Sequence, residues 1–352
     1  EQMHGTPLTI LPRVHRMLLG FYESNYNGRR VISHGGDTQW FHSELHLFID
    51  DGVGLYSSFN STGKEGAVGG IRSSLFEQFA DRYLPGPAPA GAGVDADTAA
   101  EHARMIAGRY GNSRRSESSF MSLLNLISEV TVVPNEDGTI SVSMLQSLAG
   151  VPLKWQEIEP FVWREVDGKQ LLSARVEDGR VVRFSFDGVS PFMMFEPMPA
   201  WKSGGWLLPL FIAALVAMLL TALAWPATAL IRRRYGASYM LSGQDAKAHR
   251  LVRIGAVAVV AMWLAWGITM GMMMSNYDLL SPKLDGWLWI LQILSLFVFF
   301  GAAAAGVWNA WVVMRSPRRW YTKAWAVVIA VSLLAILWVA LVYELIAFDV
   351  NY

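Results

Sequence analysis

The chain has 352 residues, of which 53% are hydrophobic and 16% charged, whereas soluble domains carry about a quarter charged residues. Lys plus Arg and Asp plus Glu number 29 each, which gives no concentrated basic face for a nucleic-acid partner. The absence of cysteine excludes disulfides, thiolate catalysis and Cys-ligated zinc.

The apolar excess lies almost wholly after Trp201, so the chain has two solvents to satisfy. Residues 18–60 carry the pattern of antiparallel strands. Leu19 and Phe21 lead into Asn27-Gly28, a tight hairpin signal, and residues 29–33 return. A third strand over residues 40–49 alternates, with Phe41, Ser43, Leu45, Leu47 and Ile49 on the face expected to pack on a helix layer. Asp50-Asp51-Gly52 turns the chain into a fourth strand, Val53–Phe59. From 64 to 83 the period lengthens, with Ala67, Ile71, Leu75, Phe76, Phe79 and Tyr83 at helical spacing. Metal binding is not expected: His42, Glu44 and His46 share a strand face but have no fourth ligand at recognisable spacing.

The block Ser33-His34-Gly35-Gly36-Asp37-Thr38 stands where one strand is expected to end and the next to begin. It resembles the third active-site motif of beta-lactamase and penicillin-binding-protein-like serine hydrolases, a cationic or His residue followed by a small residue and Gly. In that family the motif lies on a strand lining the active site, with two more strands and a C-terminal helix after it, the order expected here. The resemblance covers about residues 1–83. It implies that His34 contacts the substrate carboxylate or assists proton transfer, that Gly35 and Gly36 permit close approach, and that Asp37 supplies a backbone oxyanion donor. The bland reading of the block is a turn between strands. The family's Ser-x-x-Lys nucleophile motif and its Tyr-x-Asn motif come before the third motif, and neither is found ahead of His34. Ser61-Thr62-Gly63-Lys64 spells Ser-x-x-Lys but comes after it, and Ser61 is expected to cap a helix instead. No nucleophile is therefore assigned within these residues, no cofactor is expected, and the chain alone is expected to be inactive. With Glu1 as first residue and no signal segment ahead of the soluble part, the N-terminus is expected to be missing.

Residues 85–95, rich in Pro, Gly and Ala, read as a linker. A helix over 96–106 follows, then hairpin signals at Asp137-Gly138, Asp167-Gly168, Asp178-Gly179 and Asp187-Gly188, between strands over 130–133, 140–144, 171–176 and 181–186. That spacing predicts an antiparallel meander or small barrel. Its Gly-x-Tyr opening, Gly108-Arg109-Tyr110, resembles the accessory beta domain that often follows the hydrolase domain in the same family.

Four stretches, about 206–231, 254–274, 287–314 and 324–343, lack ionisable residues over the length of a bilayer core. Their first connection holds Arg232, Arg233, Arg234, Lys247, Arg250 and Arg253, and the third holds Arg315, Arg318, Arg319 and Lys323. The second holds only Lys283. Cationic side chains resist translocation, so the soluble part and the C-terminus are expected outside, on the periplasmic side of an inner membrane. No span has an ionisable residue at its centre, which argues for an anchor over a transporter. Gln292 and Asn309 are expected to make interhelical hydrogen bonds, and the 301–306 run of Gly and Ala to allow close helix packing.

The expected fold class is multidomain: an α+β fragment of a beta-lactamase-like fold over 1–84, the 85–95 linker, an accessory all-β meander or small barrel over 96–200, and a four-helix transmembrane bundle over 201–352. The expected function is the C-terminal part of a membrane-anchored extracytoplasmic serine hydrolase. Its expected partners are the lipid bilayer and a cell-wall peptide or small amide or ester. A non-catalytic binding or sensory module on the same scaffold is the alternative.

Overall fold

The computed structural model describes residues 2–5, 7–87, 93–147 and 149–351. The part of the linker from 88 to 92 lies outside them. After a short helix α1 (Gln2–Gly5), the strands β1 (Arg16–Met17), β2 (Tyr22–Tyr26), β3 (Arg29–Asp37), β4 (His42–Phe48) and β5 (Val53–Phe59) form one antiparallel sheet in sequence order. Asn27 and Gly28 sit at φ 56° and 75°, the left-handed pair that a two-residue hairpin requires. β3 does not end at Ser33. It runs on through the glycine pair, so His34 to Asp37 are strand residues and not the junction the sequence suggested.

Helix α2 (Val68–Tyr83) covers one sheet face. Val31, Phe48, Ala80 and Leu84 make the buried core there, with Tyr26, Phe76 and Phe79 packed around it. The covered face of β4 is the His42, Glu44, His46, Phe48 face, opposite to the expected one. Phe76 stacks on both His46, at 3.8 Å, and Phe48, at 6.0 Å. Phe41 and Ile49 stay 56% and 43% exposed on the other side. Both faces of β4 carry apolar residues, so alternation alone cannot choose. The choice comes from Phe48 pairing with Val31 under the helix, since His46 offers a flat ring for stacking.

Helix α3 (Ala96–Ile106) starts where Asp95 accepts the Thr98 N–H at 3.0 Å, a regular N-cap. Eight strands follow: β6 (Gly108–Asn112), β7 (Val130–Pro134), β8 (Ile140–Gln146), β9 (Pro152–Glu159), β10 (Val162–Glu165), β11 (Leu171–Glu177), β12 (Arg180–Phe186) and β13 (Phe195–Pro197). They close into an antiparallel barrel in the order β10-β11-β12-β13-β6-β7-β8-β9. Its core holds Ile106, Tyr110, Ile140, Trp155, Trp163, Leu172, Phe184 and Phe195. Asp167 and Asp178 adopt positive φ in their turns. Asp187-Gly188 differs from the expected hairpin. It opens a loop to β13, and the Asp187 carboxylate accepts the Leu171 N–H at 2.9 Å and the His15 N–H at 3.1 Å. The sheet and the barrel belong to one compact unit, Glu1–Arg114 with Glu129–Met198.

The second unit is Arg115–Ser128 with Pro199–Tyr352. Its helices α4 (Gly204–Arg234), α5 (Gly243–Ser275), α6 (Asp285–Arg315) and α7 (Trp320–Val342) are each long and apolar enough to cross a membrane. α4 runs unbroken through Pro209 and Pro226. Between β6 and β7 the chain leaves the barrel, and Phe120 and Leu126 of that segment join the helix core, with the Phe120 ring 5.7 Å from that of Trp266. Trp266 donates to the Ser295 hydroxyl and Trp287 to the Thr269 hydroxyl, each at 2.9 Å, tying α5 to α6. Gln292 bonds both backbone groups of Asp349 in the C-terminal tail. Gly306 lies where a Cβ would stand 2.7 Å from a Leu333 methyl, so α6 and α7 meet at backbone contact distance.

Candidate functional site

Among the described residues, the second half of β3 has a paired strand on one side only. β2 pairs with Arg29 to Ser33, and β4 pairs with Ile32 to Asp37, leaving the outer edge from His34 to Asp37 open. The β3–β4 turn sets the phase of the ladder. Thr38 donates its N–H to the Phe41 carbonyl at 2.8 Å, and its hydroxyl accepts the N–H of Phe41 at 2.9 Å and of Trp40 at 3.2 Å. Bonded and non-bonded pairs alternate in an antiparallel ladder, so Gly36 and His34 bond to β4 while the N–H groups of Gly35 and Asp37 point outward from the open edge.

Side chains alternate across the sheet by the same geometry. His34 is exposed on the uncovered face, stacked on Tyr22 at 5.1 Å and edge-on to Phe21 at 6.2 Å. There it borders a shallow hollow of about 400 Å³ with Gly36, Ser43, Leu45 and Tyr56. Asp37 lies on the other face, toward α2. Its carboxylate meets His42 Nδ1 at 2.7 Å and Arg72 Nη2 at 3.2 Å. Arg72 also donates to the Ser43 carbonyl at 3.0 Å and lies 3.9 Å from Glu44, which is 3.5 Å from His46 Nε2. Burial alone would raise the Glu44 carboxyl, but His46 and Arg72 outweigh it and hold it below its ordinary value.

This group borders a polar cleft of about 220 Å³ between the sheet with α2 and the barrel, with Lys169, Asp187 and Ser190 on the barrel side. Lys169 donates to Asn27 at 2.8 Å and pairs with Asp81. Burial pushes the Glu77 carboxyl up, with Asp81 adding to it against Gln170 and Lys169. Of the residues singled out in the sequence, Gly35 and Asp37 border the cleft and His34 and Gly36 border the hollow. Arg72, Lys169 and the Asp37–His42 pair had not been singled out. Arg72 flanks the apolar stripe of α2, and only the helix's docking register brings it to Asp37, 35 residues earlier.

Ser61 does not cap a helix: its hydroxyl accepts the Gly63 N–H at 3.0 Å in a local turn, and α2 begins after Ala67 without a side-chain cap. Turn-forming Gly63, at φ 72°, separates Ser61 from the helix.

No known family pattern and no curated protein matches the chain. Among solved structures, SurE is similar over 56% of the chain and 41% of its own length, at 14% identity and a TM-score of 0.32. SurE with D-Leu is similar at 15% identity and a TM-score of 0.29 over 55% and 42%. An octameric penicillin-binding protein homologue from Pyrococcus abyssi is similar at 12% identity and a TM-score of 0.22 over 55% and 41%. The chain thus spans about two-fifths of the length of each. TM-scores of this size are too low to establish a shared fold. What the described residues define is a multidomain protein, an antiparallel sheet and an eight-stranded barrel joined to four helices suited to a lipid bilayer.

Proposed function

We propose that the chain is the C-terminal part of a membrane-anchored, extracytoplasmic serine hydrolase of the beta-lactamase and penicillin-binding-protein type, with residues 1–84 forming part of its catalytic domain. The observation that carries the reading is the open edge of β3 at Gly35 and Asp37, beside a cleft lined with charged and hydroxyl groups. Acyl transfer needs a backbone donor facing the developing oxyanion, on a strand that the substrate can approach closely. The outward N–H of Asp37 meets that requirement, and the glycine pair beside it leaves room for an extended substrate. In this reading the nucleophilic serine and its base come from sequence ahead of Glu1, by an acyl-enzyme route on a peptide, amide or ester. In this reading the sheet and the barrel lie outside the cytoplasm, which the positive residues of the first and third helix connections support, because cationic side chains resist translocation.

A non-catalytic module on the same scaffold is a second reading. It is favoured by the His34 ring, which lies on the face away from the cleft, stacked on Tyr22 and edge-on to Phe21.

Fluorophosphonate labelling followed by peptide mapping separates the two. In a polypeptide extended upstream of Glu1 in its own reading frame, the hydrolase reading expects one labelled serine, within an upstream Ser-x-x-Lys. Residues 1–352 alone should carry no label. A label on Ser61, or no label on the extended polypeptide, overturns the reading.

A further inference from the structure

One end of the helix bundle concentrates positive charge. The connections α4–α5 and α6–α7, with the adjoining helix ends, hold ten Lys and Arg side chains against a single acid, Asp245. Part of this charge converges on one place. The charges of Arg232 from the end of α4, Arg253 from α5 and Arg318 from the α6–α7 connection all act on His249 of α5, and Arg232 and Arg318 also act on Arg253. Tyr239 closes the group: its hydroxyl is 2.9 Å from His249 Nδ1, and the Arg232 guanidinium stands 5.1 Å from its ring centroid.

The local compensation is small. Asp245 Oδ1 lies 2.8 Å from Arg318. Arg253 donates one bond to the His249 carbonyl at 3.3 Å, while its enclosed Nε has no hydrogen-bond partner among the described residues. Three guanidiniums from three parts of the bundle thus gather beside a surface suited to lipid, and of the three only Arg318 lies against the Asp245 carboxylate among the described residues. Like charges gathered there repel more strongly than in open water, and a bound anion relieves that repulsion. A guanidinium fork matches the oxygens of a phosphate group, which can take donors from several directions at once. At the ends of bilayer-length helices, phosphate headgroups are also the abundant anions.

We infer that Arg232, Arg253 and Arg318 form a binding site for a phosphate group at this end of the bundle. The inference is independent of the hydrolase reading and of which side of the membrane this end faces. The phosphate can belong to an anionic lipid headgroup or to a free phosphate compound, and the test separates the two.

The full chain, purified in an uncharged detergent, is titrated with dioleoyl-phosphatidylglycerol, with dioleoyl-phosphatidylcholine and with sodium pyrophosphate, and bound ligand is read by native mass spectrometry. Phosphatidylglycerol bound in preference to phosphatidylcholine identifies a lipid site, and pyrophosphate bound in preference identifies a soluble one. For the probe that binds, Arg253→Gln and Arg318→Gln should each weaken binding by about tenfold or more, the loss of a charge-assisted contact. Asp245→Asn, which releases Arg318, should tighten it. Arg232→Gln, at a helix end, gives the same reading if Arg253→Gln fails to fold. Arg233→Gln and Arg234→Gln, exposed neighbours outside the group, should change binding less than twofold. The site is refuted if neither phosphatidylglycerol nor pyrophosphate binds better than phosphatidylcholine. It is also refuted if Arg233→Gln weakens binding as much as Arg253→Gln or Arg232→Gln does, because diffuse surface charge then explains the effect.

Discussion

Helix α3 is held on the barrel by a small number of contacts, and one of them can be removed cleanly. His102 Nδ1 lies 2.8 Å from the Glu157 carboxylate, which also accepts the Phe161 N–H at 2.6 Å, and the His102 ring sits 3.9 Å from that of Phe161. Glu157 is 1% exposed. His102→Ala therefore leaves a buried carboxylate with one of its two donors. A hydrogen bond to a charged group contributes about 1.5–3 kcal/mol, and the ring contact roughly 0.5–1.5 kcal/mol. Together these loosen α3 by about 3 kcal/mol, or roughly a hundredfold in the population of its opened state. Hydrogen exchange resolved to peptides of residues 96–106 reads that population directly. An unchanged exchange rate in His102→Ala would refute the reasoning. The pH dependence follows from the same site. Burial pushes the Glu157 carboxyl up, against the hydrogen bonds from Phe161 and His102 that pull it down. A carboxyl raised in the folded state contributes stability that is complete below its unfolded value and is lost as pH rises through the raised one. Relative to Glu157→Gln, the native chain should therefore gain protection of α3 as pH falls through that window, after correction for intrinsic exchange.

Four further substitutions test local geometry. Gly306→Leu, placed against Leu333 and Ala330, should lower the thermal midpoint of the full chain in detergent, by about 1–3 kcal/mol of overpacking. Gly301→Leu, whose Cβ meets nothing within 4 Å, should leave it unchanged. Gly86→Ala brings a methyl within 2.3 Å of the Asn27 carbonyl oxygen, so hydrogen exchange should increase in the peptide holding the Asn27-Gly28 turn. Asp137 is held at about 2 by its bond from Lys154 and those from Thr139. A carboxyl lowered in this way contributes stability that is lost as pH falls through the folded value. Lys154→Gln should raise the Asp137 titration midpoint toward the ordinary carboxylate range, as read by carboxyl NMR shifts.

The parts of the fold that repeat a simple pattern were legible from the residues. Four long apolar runs fixed the helices to within a few residues apart from α5, which begins eleven residues early because polar residues from Gly243 onward extend it past the apolar stretch. Asp-Gly pairs located three barrel turns. β9 and β10 were missed because Lys154, Glu157, Glu159 and Arg164 interrupt the alternation around Trp155 and Trp163. The closure of the barrel was not legible either, since β13 and β6 meet across about 80 residues of chain. The joining of residues 115–128 to the membrane helices left no periodic signal, because a 3-10 turn, Phe120–Leu126, makes the contact. In the candidate site, the motif on β3 was legible as a short pattern. The ladder phase that turns the Asp37 N–H outward depends on the Thr38 turn, and the placement of Arg72 depends on how α2 docks. Neither is encoded locally.

The most direct measurement compares two substitutions at Asp37 in the polypeptide extended upstream of Glu1, scored by the rate of fluorophosphonate acylation. Proline is tolerated on a strand edge where the N–H faces away from the ladder, so Asp37→Pro removes the outward donor, whereas Asp37→Ala removes the carboxylate and keeps that donor. The account predicts that Asp37→Pro acylates about 10²–10³ times more slowly than Asp37→Ala, the loss typical of one oxyanion donor. Equal rates for the two variants would contradict it.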